Sequence, residues 1–156
     1  MRLTDYLSLD RIRSPLAATT HEGAIEELVG VLAAAGELDD AAKTLQAVLD
    51  REKTRTTGIG CGLAIPHGKS AACKELAMAL GKSPAGIDFR SIDGKPVTIV
   101  ILVVSPQDQT GPHIQALARI SRLMSIDAFR NKLNAAQTPA DILQVLQQQE
   151  KDLTGV

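Results

Sequence analysis

Val97-Thr98-Ile99-Val100-Ile101-Leu102-Val103-Val104 is the stretch that decides the fold. It is apolar throughout except at Thr98, the pattern of a central strand covered on both faces rather than one with a wet side. A strand buried twice needs a layer of helices on each side. The sequence supplies helical patterns both before and after it. Working back, Ile92-Asp93-Gly94-Lys95 is a turn signal. Before that turn, Glu75 to Leu80 alternates in part and reads as a second strand. Leu63-Ala64-Ile65, which follows the glycine-rich residues 58–62, is too short to be anything but a strand. A proline cannot donate to a ladder, so residues 14–18, with Pro15 inside, read as a short edge strand.

Helices complete the pattern. One is expected from about Glu22 to Ala35, with Ile25, Leu28, Val29 and Leu32 at helical spacing, Thr19 or Thr20 as its cap and Gly36 as its stop. Asp39-Asp40 opens another, through Ala42, Leu45, Val48 and Leu49 to about Lys53, with acids first and bases last as the macrodipole favours. Beyond the central strand, about 112–124, 126–135 and 139–148 carry helical patterns, and the tail after Glu150 is expected to fray. These elements predict one α/β domain over 1–156, a three-layer α/β/α sandwich.

Composition narrows the function. A chain of 156 residues with 44% hydrophobic and 22% charged residues builds a core without metal or disulfide staples. A formal charge of −1 gives no field to draw nucleic acid or an anionic membrane. With one tyrosine, two phenylalanines and no tryptophan there is little to stack bases on. Residues 97–104 fall far short of the roughly 20 needed to span a bilayer. Met1-Arg2-Leu3-Thr4-Asp5 lacks the order of a signal peptide. Cys61 and Cys73 are therefore expected as reduced thiols in the cytosol.

Gly60-Cys61-Gly62-Leu63-Ala64-Ile65-Pro66-His67-Gly68 places a histidine between a proline and a glycine at the end of an apolar run. Rigid backbone orients such a ring: Pro66 fixes φ on the approach, and Gly68 is read as leaving room for an incoming molecule. Roughly three-quarters of a free imidazole is neutral at pH 7, so a nucleophilic nitrogen is available without a separate base. An ordinary surface-loop histidine is the alternative. In Gln109-Thr110-Gly111-Pro112-His113-Ile114, Pro112 suits the first helical turn and places His113 just inside it. Positive potential there welcomes an anion and disfavours protonated imidazole. Leu117, Ile120 and Met124 follow His113 along the buried stripe. By itself His113 reads as a helix-start residue bonded to a nearby carbonyl, and only closeness to a second histidine gives it a chemical role. Arg51 and Glu52, at the end of the second helix, are spaced from Val48 and Leu45 so that both turn inward. An arginine beside a histidine nucleophile steers a phosphoryl oxygen, although bases in a last helical turn often only complement the dipole.

Rival chemistries fit less well. Cys61 with His67 and His113 lacks paired zinc-ligand spacing, and Cys61 as a nucleophile has no supporting motif. Gly58-Ile59-Gly60-Cys61-Gly62 is not followed by Lys-Ser or Lys-Thr and precedes a strand, so it is no phosphate-binding nucleotide loop.

Taken together, these stretches resemble the enzyme IIA domains of the bacterial phosphoenolpyruvate-dependent phosphotransferase system, in the fructose/mannitol class, nearest to the free-standing nitrogen-regulatory branch. The resemblance rests on Arg51-Glu52-Lys53, Thr57-Gly58-Ile59-Gly60, Leu63-Ala64-Ile65-Pro66-His67-Gly68-Lys69, and Asp108-Gln109-Thr110 with His113 and Leu117. It implies a mixed β-sheet between helical layers. It also implies that His67 is phosphorylated on its tele nitrogen, that His113 donates to the phosphoryl group and that Arg51 positions it. Glu52, Gly60, Gly62, Pro66 and Gly68 hold supporting places. The implied donor is HPr or its nitrogen-branch counterpart, with regulatory target proteins downstream and no cofactor or metal. Cys61 departs from the polar residue, often asparagine, of nitrogen-regulatory relatives, and Thr56 from a common serine. With no second carrier domain or permease in the chain, the regulatory branch is expected over a free-standing sugar-transport component. A binding module of the same fold that has lost phosphotransfer, as in the cytoplasmic part of anion exchangers, is the third possibility, and a zinc or thiol hydrolase the last. The phosphocarrier reading requires the rings of His67 and His113 to lie close together, with His67 unsealed.

Overall fold

The structure, a computed structural model, describes residues 1–154. Two short 3-10 turns, Leu3–Asp5 and Leu9–Arg11, precede β1 (Ile12–Arg13), α1 (His21–Ala34) and α2 (Ala41–Thr54). Then come β2 (Gly58–Gly60), β3 (Leu63–Ala64), β4 (His67–Lys69), β5 (Ala77–Ile87) and β6 (Val97–Ser105), followed by α3 (Thr110–Met124), α4 (Asp127–Ala135) and α5 (Pro139–Thr154). The six strands form one sheet in the order β1-β5-β6-β3-β2, with β4 also paired to β6. β5 and β6 are antiparallel, as are β2 and β3, whereas β1 runs parallel to β5, and β3 and β4 run parallel to β6. The sheet is therefore mixed, as the resemblance implied.

β6 is the strand whose sequence predicted burial on both faces. Ile99, Ile101 and Val103 pack with Ile120, Leu123 and Phe129 on the side of α3 and α4. Val100, Leu102 and Val104 pack with Ile25, Leu28 and Leu32 of α1 on the other. Side chains alternate along a strand, so one uninterrupted apolar run serves two cores. Each of these large side chains, fully buried, stabilises the fold by about 1.5–3 kcal/mol relative to exposure.

The helix starts follow their caps. Thr20 Oγ1 accepts from the Gly23 N–H at 3.1 Å, and Asp40 Oδ1 from that of Lys43 at 3.1 Å. Gly36 at φ +80° ends α1, with the Glu37 N–H returning to the Leu32 carbonyl at 3.1 Å.

Several boundaries differ from expectation. The edge strand is Ile12–Arg13 rather than residues 14–18, and beyond Pro15 the Leu16 N–H donates to Lys82 O of β5 at 2.8 Å. β5 starts at Ala77 and runs to Ile87, well past Leu80, because Lys82 is tolerated inside. Its Nζ donates to the carbonyls of Asn134, at 2.6 Å, and Ala136, so the buried ammonium caps the end of α4. The tail does not fray after Glu150. That carboxylate is 2% exposed and accepts from the Leu3 N–H at 2.8 Å and the Thr4 N–H at 3.0 Å, with Arg119 3.2 Å away. α5 accordingly continues to Thr154, and the expected fraying at residues 155–156 lies outside the described residues.

Candidate active site

Leu63 to Lys69 lies along the parallel edge of β6 as β3 and β4, interrupted at Pro66, whose carbonyl accepts from the Val103 N–H at 3.0 Å. β4 sets His67 opposite Val103 and Lys69 opposite Ser105. Gly68, between them, is buried, and its role differs from the one expected. A Cβ there would meet Val48 Cγ2 at 3.1 Å, Val48 N at 3.2 Å and the Ala47 carbonyl carbon at 3.3 Å. The missing side chain makes room for the backbone of α2, not for an incoming molecule.

His67 is half-buried, with Nδ1 2.8 Å from the Ile65 carbonyl oxygen. A carbonyl can only accept, so Nδ1 carries the hydrogen and Nε2 presents a bare lone pair. Burial is the main influence holding the imidazole pKa below its ordinary value. The Ile65 carbonyl opposes it, Arg51 adds to it, and Glu52 opposes it. The fold thus favours the neutral ring, with Nε2 as its free nitrogen.

α3 starts at Thr110, so Pro112 is its third residue rather than its first. The His113 N–H donates to the Gln109 carbonyl at 3.1 Å, closing the first turn, and Thr110 and Gly111 keep first-turn N–H groups without intrahelical acceptors. The His113 side chain is 5% exposed, and its ring centroid lies 5.5 Å from that of His67, edge to face at 64°. Nδ1 of His113 sits 2.7 Å from Ser105 Oγ at the end of β6. Burial first, then repulsion from His67 whenever that ring is protonated and from the Lys69 ammonium, pushes the His113 pKa down to about 4. The two histidines, 46 residues apart in the chain, thus lie as close together as the phosphocarrier reading requires.

Arg51 donates from Nη1 to the Arg55 carbonyl at 3.1 Å and shares with His67, Thr57, Ile65 and Leu117 a cavity of about 230 Å³. Glu52 braces the approach: its carboxylate accepts from the Thr57 N–H at 3.2 Å and the Thr57 hydroxyl at 2.6 Å. Gly60 and Gly62, at φ +102° and +77°, flank Cys61 at +57° and turn β2 into β3, and the Cys61 N–H donates to Asp93 at 3.0 Å. Pro66 is buried and Cys61 exposed. Sequence reasoning passed over Ser105, quoted Thr57 without giving it a role, and missed the tie from Lys69 Nζ to Thr110 Oγ1 at 2.9 Å. The one signal for Ser105 was a hydroxyl closing an apolar strand.

A larger cavity of about 430 Å³ opens on the other side of residues 55–56. Its one histidine, His21, packs edge-on against Phe89 with centroids 5.6 Å apart. No second imidazole lines it, so size does not mark the chemistry here. Among the described residues no three His, Cys, Asp or Glu side chains gather as a metal ion would require, and no helix is long and apolar enough to cross a membrane.

Comparison with known proteins follows the same residues. The family model described as "Phosphoenolpyruvate-dependent sugar phosphotransferase system, EIIA 2" matches residues 5–149. A fructose-specific EIIA component of Haloferax volcanii is 36% identical over 90% of each chain. A nitrogen regulatory protein of Bradyrhizobium diazoefficiens is 34% identical over 94% of this chain and 95% of its own. A fructose-specific EIIABC component of Bacillus subtilis is 35% identical over 97% of this chain, which spans only 24% of that longer protein. Among solved structures, nitrogen regulatory protein IIA-Ntr of Neisseria meningitidis superposes with a TM-score of 0.84 at 26% identity, covering 92% of this chain and 98% of that one.

Proposed function

This chain belongs to the EIIA type-2 family of the phosphoenolpyruvate-dependent sugar phosphotransferase system, and on that premise we propose that it takes up a phosphoryl group on Nε2 of His67. One observation carries the reading: Nδ1–H of His67 is committed to the Ile65 carbonyl at 2.8 Å, which leaves Nε2 bare and aims the ring beside a second imidazole. In the step, Nε2 attacks phosphorus in line as the donor's P–N bond breaks and its electron pair returns to the donor ring. The Nδ1 proton stays on His67, so the product is a phosphoimidazolium held by the Ile65 carbonyl. The transition state is loose, and the protein's tasks are positioning and charge stabilisation. His113 donates to a phosphoryl oxygen, and the Arg51 guanidinium, which lines one cavity with His67, attracts another.

The donor is the phosphohistidine of HPr or of its nitrogen-branch counterpart. The output is regulatory, exerted on target proteins by contact. The relation to nitrogen regulatory proteins along nearly their whole length supports this. A second reading, a sugar-transport component, is favoured by the 36% identity to a fructose-specific EIIA component.

The test is incubation of the full chain with phosphoenolpyruvate, the first enzyme of the system and each carrier in turn. One acid-labile, base-stable phosphate is expected, and none on the His67→Ala protein. Incorporation that survives that substitution sinks the assignment. Onward transfer to a fructose-type EIIB would select the transport reading. Capture of a target that discriminates His67→Asp from His67→Ala would select the regulatory one.

A further inference from the structure

We propose that Ser105 is a positioning residue for phosphotransfer: its hydroxyl donates to Nδ1 of His113 and so fixes the tautomer in which Nε2–H faces the phosphoryl group. The inference rests on the reading of His67 as acceptor and concerns a residue that reading does not use.

The argument is one of hydrogen-bond accounting. Ser105 is 0% exposed, and its Oγ lies 2.7 Å from Nδ1 of His113. A hydroxyl has one hydrogen to give, and a neutral imidazole has one nitrogen that donates and one that accepts. Two arrangements fit the distance. In the first, Nδ1–H donates to the hydroxyl oxygen. The serine hydrogen must then find an acceptor elsewhere, and among the described residues Oγ has no partner but His113. A buried donor left without an acceptor is costly. In the second, the hydroxyl donates to a bare Nδ1, and its hydrogen is satisfied. Only this arrangement leaves no buried hydrogen stranded. His113 must then carry its own hydrogen on Nε2.

The rest of the site holds the serine in place. The Ser105 carbonyl accepts from the Ser70 N–H at 2.9 Å, and Ser105 is paired in register with Lys69 of β4. The last residue of β6 is therefore fixed to the strand that carries His67. The two imidazoles end in opposite states at Nδ1. That of His67 is a donor bound to a carbonyl, and that of His113 an acceptor bound to a hydroxyl. Their free Nε2 atoms are opposite as well, one a lone pair that attacks phosphorus, the other an N–H that donates to an oxygen of the transferred phosphoryl group. A bare Nε2 on His113 would instead turn a second lone pair toward a phosphoryl dianion and repel it.

The experiment is long-range proton–nitrogen NMR of the ¹⁵N-labelled full chain, which reads which ring nitrogen of each histidine is protonated. It is paired with the rate of phosphoryl uptake from phosphorylated HPr. In the wild type, His113 is expected protonated at Nε2 and His67 at Nδ1. Ser105→Ala should leave His113 a mixture of tautomers and slow uptake about fivefold, the equivalent of one ordinary hydrogen bond. Ser105→Cys, close in volume but a weak donor, should behave like Ser105→Ala, and Ser105→Thr should restore both readouts. A merely structural serine would alter stability without moving the tautomer. Nδ1–H on His113 in the wild type, or an unchanged tautomer in Ser105→Ala, overturns the proposal. The spectra are read without phosphate, so a wild type that takes no phosphate at His67 fails the functional reading separately.

Discussion

His67 and His113 meet 5.5 Å apart, yet the chain holds them by unlike means. His67 sits on a three-residue strand, its ring tied to a peptide carbonyl two residues back. His113 sits in the first turns of a fifteen-residue helix, its ring tied to a side-chain hydroxyl on a different element. A carbonyl has one hydrogen-bonding role and no substitution removes it, so the His67 tautomer is written into the backbone. A hydroxyl can donate or accept, so the partner's tautomer depends on a side chain that can be exchanged. On the proposed reading, the attacking group is wired by main chain and the assisting group by an editable residue.

The largest effect that tests this contrast is acid stability. The His113 pKa in the fold, about 4, lies below that of a free imidazole, near 6.5. The folded state therefore prefers the neutral ring. The stability this confers is complete above pH 6.5 and is lost as pH falls towards 4, by up to about 3 kcal/mol. Urea unfolding at pH 7 and pH 4 should show a loss in the wild type that is clearly smaller in His113→Gln, and equal losses would refute the buried neutral imidazole. The His67 pKa is also held down, so phosphoryl uptake at pH 6.5 should exceed that expected of a half-protonated imidazole, declining only in more acid solution.

Next comes the rate. Removing His113 deletes a preorganised donor to the phosphoryl oxygens, and His113→Ala should slow uptake about 100-fold without abolishing it, as quench-flow with phosphorylated carrier would show. Abolition would mean that His113 is indispensable rather than assisting. The strand side is probed by Gly68→Ala. The new methyl would press on the backbone of Val48 and Ala47, which cannot step aside as a side chain can. A loss of about 2 kcal/mol is expected in urea unfolding. No loss would show that α2 sits less tightly on β4 than described. The smallest effect lies in the turn before β3. Cys61 occupies φ +57°, a region costly for a side chain branching from Cβ or not. Cys61→Gly should stabilise by about 0.5–1 kcal/mol, and a destabilised variant would point to a packing role for the thiol.

How far the sequence alone reached follows from where each cause lies. The layered sheet was legible because residues 97–104 announce burial on both faces, and the helix starts because Thr20 and Asp40 are local caps. Lys82 hid the true length of β5, since an ammonium reads as a strand's end. Its acceptors, the carbonyls of Asn134 and Ala136, lie 52 and 54 residues further on. His67 was legible from its neighbours, whereas the pairing with His113 needed the fold. Gly68 was misread for the same kind of reason. Its partner is the main chain of another element, and backbone contacts leave no mark in the residue types that make them.

That contact between Gly68 and α2 has a mechanical side. The helix that rests on the nucleophile's strand also carries Arg51 and Glu52 a turn further along. The main chains that carry the guanidinium and the imidazole are thus seated directly against each other, so the footing of the two groups is shared even though the arginine side chain itself can swing.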